Sequence, residues 1–257
     1  MPLEIETKLV ILGADPAGVI EEIAALPGIG PFTFARKHTR MLRDTYYDTS
    51  DRSLSGRGIA LRTREKPGST LLTIKRNEHM DDHGAATREE LELPFTDQNI
   101  PLIMQALKDL PLSIERLTIR IDAIEQSLED LGLTPIQDRQ TQRTLLDITS
   151  SLEPGKIVAE LALDTVSYRI SGRKAFHYEL EVEAAGAEYQ PFIVELTKLL
   201  KQTYGDKLRR WDHNKLITGF VLEKLYALKK LPNRPGEAIH LDSVTYDAID
   251  ALLRNPL

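Results

Sequence analysis

The beginning of the sequence carries three charged side chains at alternate positions. Glu4, Glu6 and Lys8 would share one face of a β-strand, because successive side chains of a strand point to opposite sides. Carboxylate oxygens are suited to hold a hard divalent cation, and a lysine ammonium is suited to contact phosphate oxygens. The spacing therefore indicates a site for a polyanion together with a metal ion, although a solvated edge strand shows the same alternation.

The same alternation recurs in later stretches, each with a charged face and a mostly apolar face. The polar residues that share a face within one stretch are Arg62 and Arg64; Thr73 and Lys75; Arg88, Glu90 and Glu92; Arg139, Thr141 and Arg143; Glu160 and Asp164; and Glu179, Glu181 and Glu183. Carboxylates at every second position repel one another unless cations lie among them. The pattern therefore favours a closed sheet, with charged faces inside and helices outside, over an open sheet whose charged face meets water.

The elements that would position these residues follow from periodicity and from turn residues. The predicted strands cover 3–12, 36–48, 58–65, 70–77, 86–94, 136–148, 156–168 and 174–184. The predicted helices cover 16–26, 98–109, 117–131, 189–203, 212–228 and 243–254. Residues 65–69 form a predicted hairpin turn, and Pro232 and Pro235 are expected to break the chain before the last helix.

The composition limits the classes of protein that the chain could represent. Its 257 residues are 41% hydrophobic, which is enough for a full core, and its net charge of −6 gives no overall attraction to nucleic acid or anionic membranes. The absence of cysteine excludes disulfides and thiolate chemistry. The polar start and the absence of a long apolar run predict neither a signal peptide nor a membrane span. We therefore expect a soluble, cytoplasmic protein, and without a GxxxxGK[ST] motif we do not expect a P-loop NTPase.

Taken in order, these motifs resemble those of the CYTH family, also called triphosphate tunnel metalloenzymes. Glu4-x-Glu6-x-Lys8 resembles the ExExK motif of that family. The further matches are Tyr46-Tyr47-Asp48-Thr49, Leu61-Arg62-Thr63-Arg64, Thr73-Ile74-Lys75, Arg88-Glu89-Glu90-Leu91-Glu92, Arg139 with Arg143, and Glu179-Leu180-Glu181-Val182-Glu183. The resemblance covers about residues 1–220. Asn214-Lys215 and Thr218-Gly219 stand where the family shows Ser-Lys and Arg-Gly, so only Lys215 is carried over from these two pairs.

The resemblance implies a fold and a domain organisation. The implied fold is α+β, a closed, mainly antiparallel barrel of eight strands that forms a triphosphate tunnel with a charged interior and helices packed outside. The tunnel domain is expected over 1–230, followed by a C-terminal extension over 231–257 with a short helix.

The resemblance also implies roles for the charged residues. The expected ligands of Mg²⁺ or Mn²⁺ are Glu4, Glu6 and members of the set Glu179, Glu181 and Glu183. The expected phosphate-binding residues are Lys8, Arg62, Arg64, Lys75, Arg88, Arg139, Arg143 and Lys215. Lys8, Glu90 and Glu92 are the expected catalytic residues. For Glu90 and Glu92 two roles stay open, activation of a water molecule or orientation of the arginines through ion pairs.

The expected activity is metal-dependent hydrolysis of a triphosphate, above all of inorganic tripolyphosphate. Two alternatives are a class IV-type adenylate cyclase, which would make cyclic AMP and pyrophosphate from ATP, and a non-catalytic polyphosphate-binding module. A cyclase must recognise adenine, and the sequence shows no convincing pocket for a base; the complete acidic motifs argue against a module that has lost its metal. The expected partner is the triphosphate, with no nucleic acid and no membrane, and a homodimer is left open.

Overall fold

The computed structural model describes residues 2–82, 84–112, 118–231 and 237–254, so the predicted break at Pro232 and Pro235 lies outside the described residues. The strands are β1 (Leu3–Ile11), β2 (Gly28–Ile29), β3 (Phe32–Thr49), β4 (Ala60–Lys66), β5 (Ser69–Met80), β6 (Ala86–Pro94), β7 (Leu133–Ser150), β8 (Glu153–Ile170), β9 (Arg173–Ala184), β10 (Leu208–Arg210) and β11 (Ile239–His240). The helices are α1 (Pro16–Ala24), α2 (Ile100–Lys108), α3 (Ile124–Glu129), α4 (Gln190–Tyr204), α5 (Lys215–Ala227) and α6 (Ser243–Arg254).

The strands pair into a closed sheet. Eight of them hydrogen-bond in the order β1-β6-β5-β4-β3-β7-β8-β9, and β9 pairs back onto β1. The pairs β1–β9, β3–β4, β4–β5, β7–β8 and β8–β9 are antiparallel, whereas the short β11 runs parallel to β9. The α+β fold is thus the predicted closed, mainly antiparallel β-barrel of eight strands, and helices pack against the apolar sides of its strands.

The chain divides into two compact units. The first unit comprises residues 1–3, 42–78 and 88–138, and the second comprises residues 4–41, 79–87 and 139–257. The predicted domain boundary at residue 230 stays a prediction.

The first unit has an apolar core between its strands and its helices. Leu61, Leu72 and Ile74 lie on one face of the β4–β5 pair and pack with residues of α2 and α3, such as Ile103 and Leu128. Because strand side chains alternate, this packing leaves the charged residues of β4 on the opposite face. The helix predicted over 117–131 begins only at Ile124, and the residues Thr118, Ile119 and Ile121 that precede it are β-branched and therefore poor helix formers.

The second unit uses both faces of its strands. On one face, apolar residues of β1, β8 and β9 pack with α1 and with the apolar stripe of α4, formed by Ile193, Leu196, Leu200 and Tyr204. The other face is charged where Asp164 lies opposite Glu179, and it turns apolar further along β8. There Val166, Tyr168 and Ile170 pack with residues of α5 and α6. The last two helices therefore cover the apolar continuation of the charged face.

Candidate functional site

Three acidic side chains converge in the second unit. Asp164 lies opposite Glu179 in the β8–β9 register, and Glu181 follows on the same face of β9. One carboxylate oxygen from each of the three lies within 4.8 Å of the others, and no other such group of three acidic, histidine or cysteine residues occurs in the described part of the chain. We call these three residues the acidic trio. Three hard oxygen donors at this spacing fit Mg²⁺ or Mn²⁺, so the donor set agrees with the predicted metal.

Two cations neutralise most of the charge of the acidic trio. Arg143 donates two hydrogen bonds to Asp164, of 2.8 and 2.5 Å, and one of 2.6 Å to Glu181. The Nζ atom of Lys215 contacts Glu179, lies 2.5 Å from Glu181 and lies 3.2 Å from Asp164. Three carboxylates against two cations leave one net negative charge, so a divalent cation would still be attracted to this group.

The pKa values of the group follow from this pairing. Burial alone would raise the pKa of Asp164 and of Glu181, but Arg143 and Lys215 outweigh it and lower both values, that of Glu181 well below the usual 4.5 of a glutamate. Burial likewise would lower the pKa of Lys215, but Glu179, Glu181 and Asp164 raise it well above the usual 10.5 of a lysine. Asp164, Glu181 and Lys215 are therefore charged at neutral pH.

The start of α5 positions Lys215. Asn214 is the N-cap of this helix, and its side-chain oxygen accepts a hydrogen bond of 3.0 Å from the amide of Ile217. The hydroxyl of Tyr168 donates a hydrogen bond of 2.8 Å to the carbonyl oxygen of Lys215. Asn and Ser are both favoured N-caps, so Asn214 can replace the serine of the family motif without disturbing the helix start. Thr218, in the place of the motif's arginine, accepts a hydrogen bond of 3.3 Å from the indole of Trp211.

The N-terminal motif lies on the same face of the second unit. The β1–β9 register sets Lys8 opposite Glu181 and Glu6 opposite Glu183. Glu4, Glu6 and Lys8 are buried, whereas Glu183 is exposed, and the Nζ atom of Lys8 lies 3.5 Å from Glu6. Of the five predicted metal ligands, the structure therefore brings Glu179 and Glu181 into the acidic trio, and Glu4, Glu6 and Glu183 are not part of it.

Asp164 is the member of the acidic trio that the sequence-based ligand set lacks. It shares an acidic strand face with Glu160, and this alternation was the available signal. Its direct partner, Arg143, is one of the predicted phosphate-binding residues. Arg139, another of them, is buried opposite Tyr168 on the same face of the β7–β8 pair.

The first unit holds a separate group of predicted phosphate-binding residues. Asp44 accepts hydrogen bonds of 2.7 and 3.0 Å from Arg64, which is a bidentate pair, and its Oδ2 lies 3.5 Å from Arg62. Burial would lower the pKa of Arg62, but Asp44 and the neighbouring acidic groups raise it further above its usual value, so Arg62 stays charged. Arg88 donates a hydrogen bond of 3.3 Å to Glu78. Acidic neighbours thus hold these guanidinium groups in fixed orientations.

Glu90 and Glu92 belong to the same group of the first unit. The side chain of Arg62 lies 3.8 Å from Glu90 and 3.9 Å from Glu92. Lys75 lies 3.0 Å from Glu90, and Thr73 donates a hydrogen bond of 3.3 Å to Glu92. These contacts favour the second of the two open roles, in which the glutamates orient cations; their catalytic role stays a prediction.

The fold and the arrangement of these charged groups define a member of a known family. The family model described as the CYTH domain matches residues 2–210, so the chain belongs to the CYTH family. No curated protein sequence matches the chain. Among the helices of the described residues, none combines the length and the apolar composition that crossing a bilayer would require.

Solved structures share this fold. The protein HpAC1 from Hippeastrum, an adenylyl cyclase by name with a dominant triphosphatase activity, is 17% identical, with a TM-score of 0.55 over 86% of this chain and 96% of its own. An adenylate cyclase homologue from Bacillus halodurans is 21% identical, with a TM-score of 0.47 over 84% of this chain and 97% of its own. The inorganic triphosphatase NE1496 is 16% identical, with a TM-score of 0.26 over 75% of this chain and 80% of its own.

Proposed function

We propose that this protein hydrolyses inorganic tripolyphosphate with the help of Mg²⁺ or Mn²⁺. The observation that carries the proposal is the contact of the acidic trio with Arg143 and Lys215. Carboxylates for a hard metal and cations for phosphate oxygens lie within one hydrogen-bonded group, which is what a metal-bound polyphosphate requires. Family membership and the triphosphatase activity of HpAC1 support the same reaction class.

The ion pairs of this group would be exchanged when the substrate binds. The carboxylates would pair with the metal, and Arg143 and Lys215 would pair with phosphate oxygens. No buried charge would lose its partner in this exchange, so the large cost of an unpaired buried charge would be avoided. A bound divalent metal would supply charge neutralisation for the phosphates and for the attacking water.

Within this mechanism, the residues of the chain have two tasks. Arg143 and Lys215 hold phosphate oxygens and stabilise the charge that they carry in the transition state, because catalysis of phosphoryl transfer is mostly positioning and electrostatic stabilisation. Arg62 and Arg64 of the first unit are proposed to bind phosphate oxygens as well, since guanidinium groups make bidentate contacts with them. Glu90 and Glu92 are proposed to keep Arg62 oriented.

A product assay tests the proposal. The protein is incubated in parallel with tripolyphosphate and with ATP, each with Mg²⁺ or Mn²⁺, and a chelator is added to matched reactions. Release of phosphate from tripolyphosphate that stops with the chelator is the expected result. Cyclic AMP and pyrophosphate from ATP would show a cyclase instead, and tight binding of tripolyphosphate without any product would show a binding module.

A further inference from the structure

A buried histidine links the last helix to the acidic trio. The Nε2 atom of His177 lies 2.8 Å from Oε2 of Glu179, and its Nδ1 atom lies 2.9 Å from the hydroxyl of Tyr246 in α6. The other oxygen of Glu179, Oε1, contacts Lys215. His177, Glu179 and Tyr246 are all 0% exposed, so water does not compete for these contacts. Each oxygen of Glu179 therefore has its own fixed partner.

The direction of these hydrogen bonds follows from the groups involved. The carboxylate of Glu179 can only accept, so Nε2 of His177 carries the hydrogen. A neutral imidazole then accepts at Nδ1, and the hydroxyl of Tyr246 donates to it. Burial raises the pKa of Tyr246 well above 10, so the phenol keeps the proton that it donates. The chain of donors thus runs from Tyr246 through His177 to Glu179.

Tyr246 is held in place by the rest of the C-terminal segment. Its ring packs edge-on against Trp211, with the ring centroids 5.0 Å apart. Asp242 caps the start of α6 through a hydrogen bond of 2.8 Å from the amide of Thr245, and Arg209 donates a hydrogen bond of 2.6 Å to Asp247. β11 pairs with β9 at Ala175 and Phe176, directly beside His177. All of α6 lies beyond residue 210, where the match to the family model ends.

We propose that Tyr246 and His177 are positioning residues that hold the carboxylate of Glu179 in its metal-binding orientation, which makes α6 a part of the candidate site. The proposal rests on the proposed function, since it assigns Glu179 to the metal. A carboxylate that accepts an imidazole N–H on one oxygen has less freedom to rotate, and such outer partners usually change metal affinity when they are removed. The C-terminal helix would thereby tune the affinity for the ion from outside the matched domain.

Metal affinity of the full chain provides the first test, with Mn²⁺ titrated and the free ion followed by electron paramagnetic resonance. Tyr246→Phe keeps the ring packing but removes the donor that fixes the tautomer of His177, and we expect the dissociation constant for Mn²⁺ to rise about tenfold or more. His177→Leu should weaken binding further, and His177→Gln, which keeps an N–H donor for Glu179, should restore part of it. Tyr226→Phe, in the same apolar cluster as Tyr246, is the control and should bind like the wild type.

The outcomes separate this inference from the proposed function. An unchanged Mn²⁺ affinity in Tyr246→Phe, next to normal binding by the wild type, would overturn the positioning role alone, even if the variant melted at a lower temperature. Failure of the wild type to bind Mn²⁺ would contradict the proposed function and the positioning role together.

The tautomer of His177 can also be observed without metal. In protein with ¹⁵N-labelled histidine, nuclear magnetic resonance should show the hydrogen of His177 on Nε2, with the signals assigned by their loss in His177→Gln. In Tyr246→Phe the Nδ1 form should become populated. A hydrogen on Nδ1 in the wild type would overturn the proposed chain of donors.

Discussion

The Nζ atom of Lys215 lies 2.5 Å from Oε1 of Glu181, at the first residue of α5. The same ammonium group contacts Glu179 and Asp164, which are the other two members of the acidic trio. A lysine of the protein therefore neutralises the carboxylates that are the candidate metal ligands. The stability of the folded chain should consequently depend on Lys215 and on divalent metal together.

Replacement of Lys215 by Met tests this dependence. Loss of one partner from a buried ion pair typically costs about 3–5 kcal/mol of unfolding free energy, because the remaining charge stays buried without compensation. We expect Lys215→Met to be destabilised by this amount without metal and to regain more stability from Mn²⁺ than the wild type does. Urea unfolding with and without Mn²⁺ measures both effects. The control is Lys198→Met on the exposed side of α4, and an equal gain from Mn²⁺ in all three proteins would disprove the dependence.

Asp164 is expected to be essential although the sequence-based ligand set lacks it. Asp164→Asn removes a charge from the acidic trio and weakens the hold on Arg143, so metal-dependent turnover should fall by about 100-fold or more, as for other lost electrostatic contacts at reacting groups. Glu160→Gln is the matched control, since Glu160 lies on the same strand and pairs with Lys37 at 3.1 Å. Steady-state rates of phosphate release with saturating Mn²⁺ make the comparison. Similar rates for the two variants would remove Asp164 from the site.

The N-terminal motif gives a separate prediction. Glu4→Gln and Glu6→Gln should each abolish metal-supported turnover and leave the fold largely intact, because they change one charge and hardly any volume. Turnover and the circular dichroism spectrum are measured on the same preparations. If either variant keeps the wild-type rate, that residue is not a metal ligand.

Arg62 should contribute to the binding of the substrate. Hydrogen bonds to charged groups are worth about 1.5–3 kcal/mol, so Arg62→Ala should raise the KM for tripolyphosphate roughly 10- to 150-fold. The control is Arg43→Ala, because Arg43 is about half exposed and pairs with Asp138 at the surface, where ion pairs contribute little. An unchanged KM in Arg62→Ala would contradict the phosphate-binding role of this strand.

Asp48 is expected to stabilise the loop after β3 in a pH-dependent way. Its carboxylate accepts hydrogen bonds of 2.9 Å from the amide of Leu54 and 3.0 Å from that of Ser55. Burial would raise the pKa of Asp48, but the hydrogen bonds from Ser55, Leu54 and Thr49 outweigh it and lower the pKa below 3.8. The stabilisation is therefore present above about pH 4 and is lost as the pH falls through the lower pKa of the folded state.

Asp48→Asn tests this assignment. The amide keeps one acceptor oxygen but turns an N–H group toward a backbone donor, so the unfolding free energy should fall by about 1–3 kcal/mol at neutral pH. The difference between variant and wild type should shrink as the pH is lowered below 4. A difference that stays constant from pH 7 to pH 3 would show that the charge of Asp48 does not contribute.

Much of the fold could be predicted from the sequence because the strands alternate so regularly. The alternation of Glu179, Leu180, Glu181 and Val182 assigns each side chain to a face, and the structure pairs these residues accordingly. The short strands β10 and β11 were not predicted, since two or three residues carry no recognisable period. Their positions are set by pairing with β1 and β9, which only the folded chain reveals.

The candidate site shows the same division. Arg143, Lys215, Glu179 and Glu181 were predicted, and they are in contact. The roles of His177 and Tyr246 could not be predicted, because they are 69 residues apart and meet only when α6 packs beside β9. No motif or spacing marks such a pair before the tertiary structure is known.

Phosphate release from tripolyphosphate by the wild type and by two glutamine variants tests the central claim most directly. Glu181→Gln alters the acidic trio, and Glu195→Gln makes the same chemical change on the exposed side of α4. The account predicts Mn²⁺-dependent release by the wild type and by Glu195→Gln, and its loss in Glu181→Gln. Undiminished release by Glu181→Gln, or release by the wild type that persists in a chelator, would contradict it.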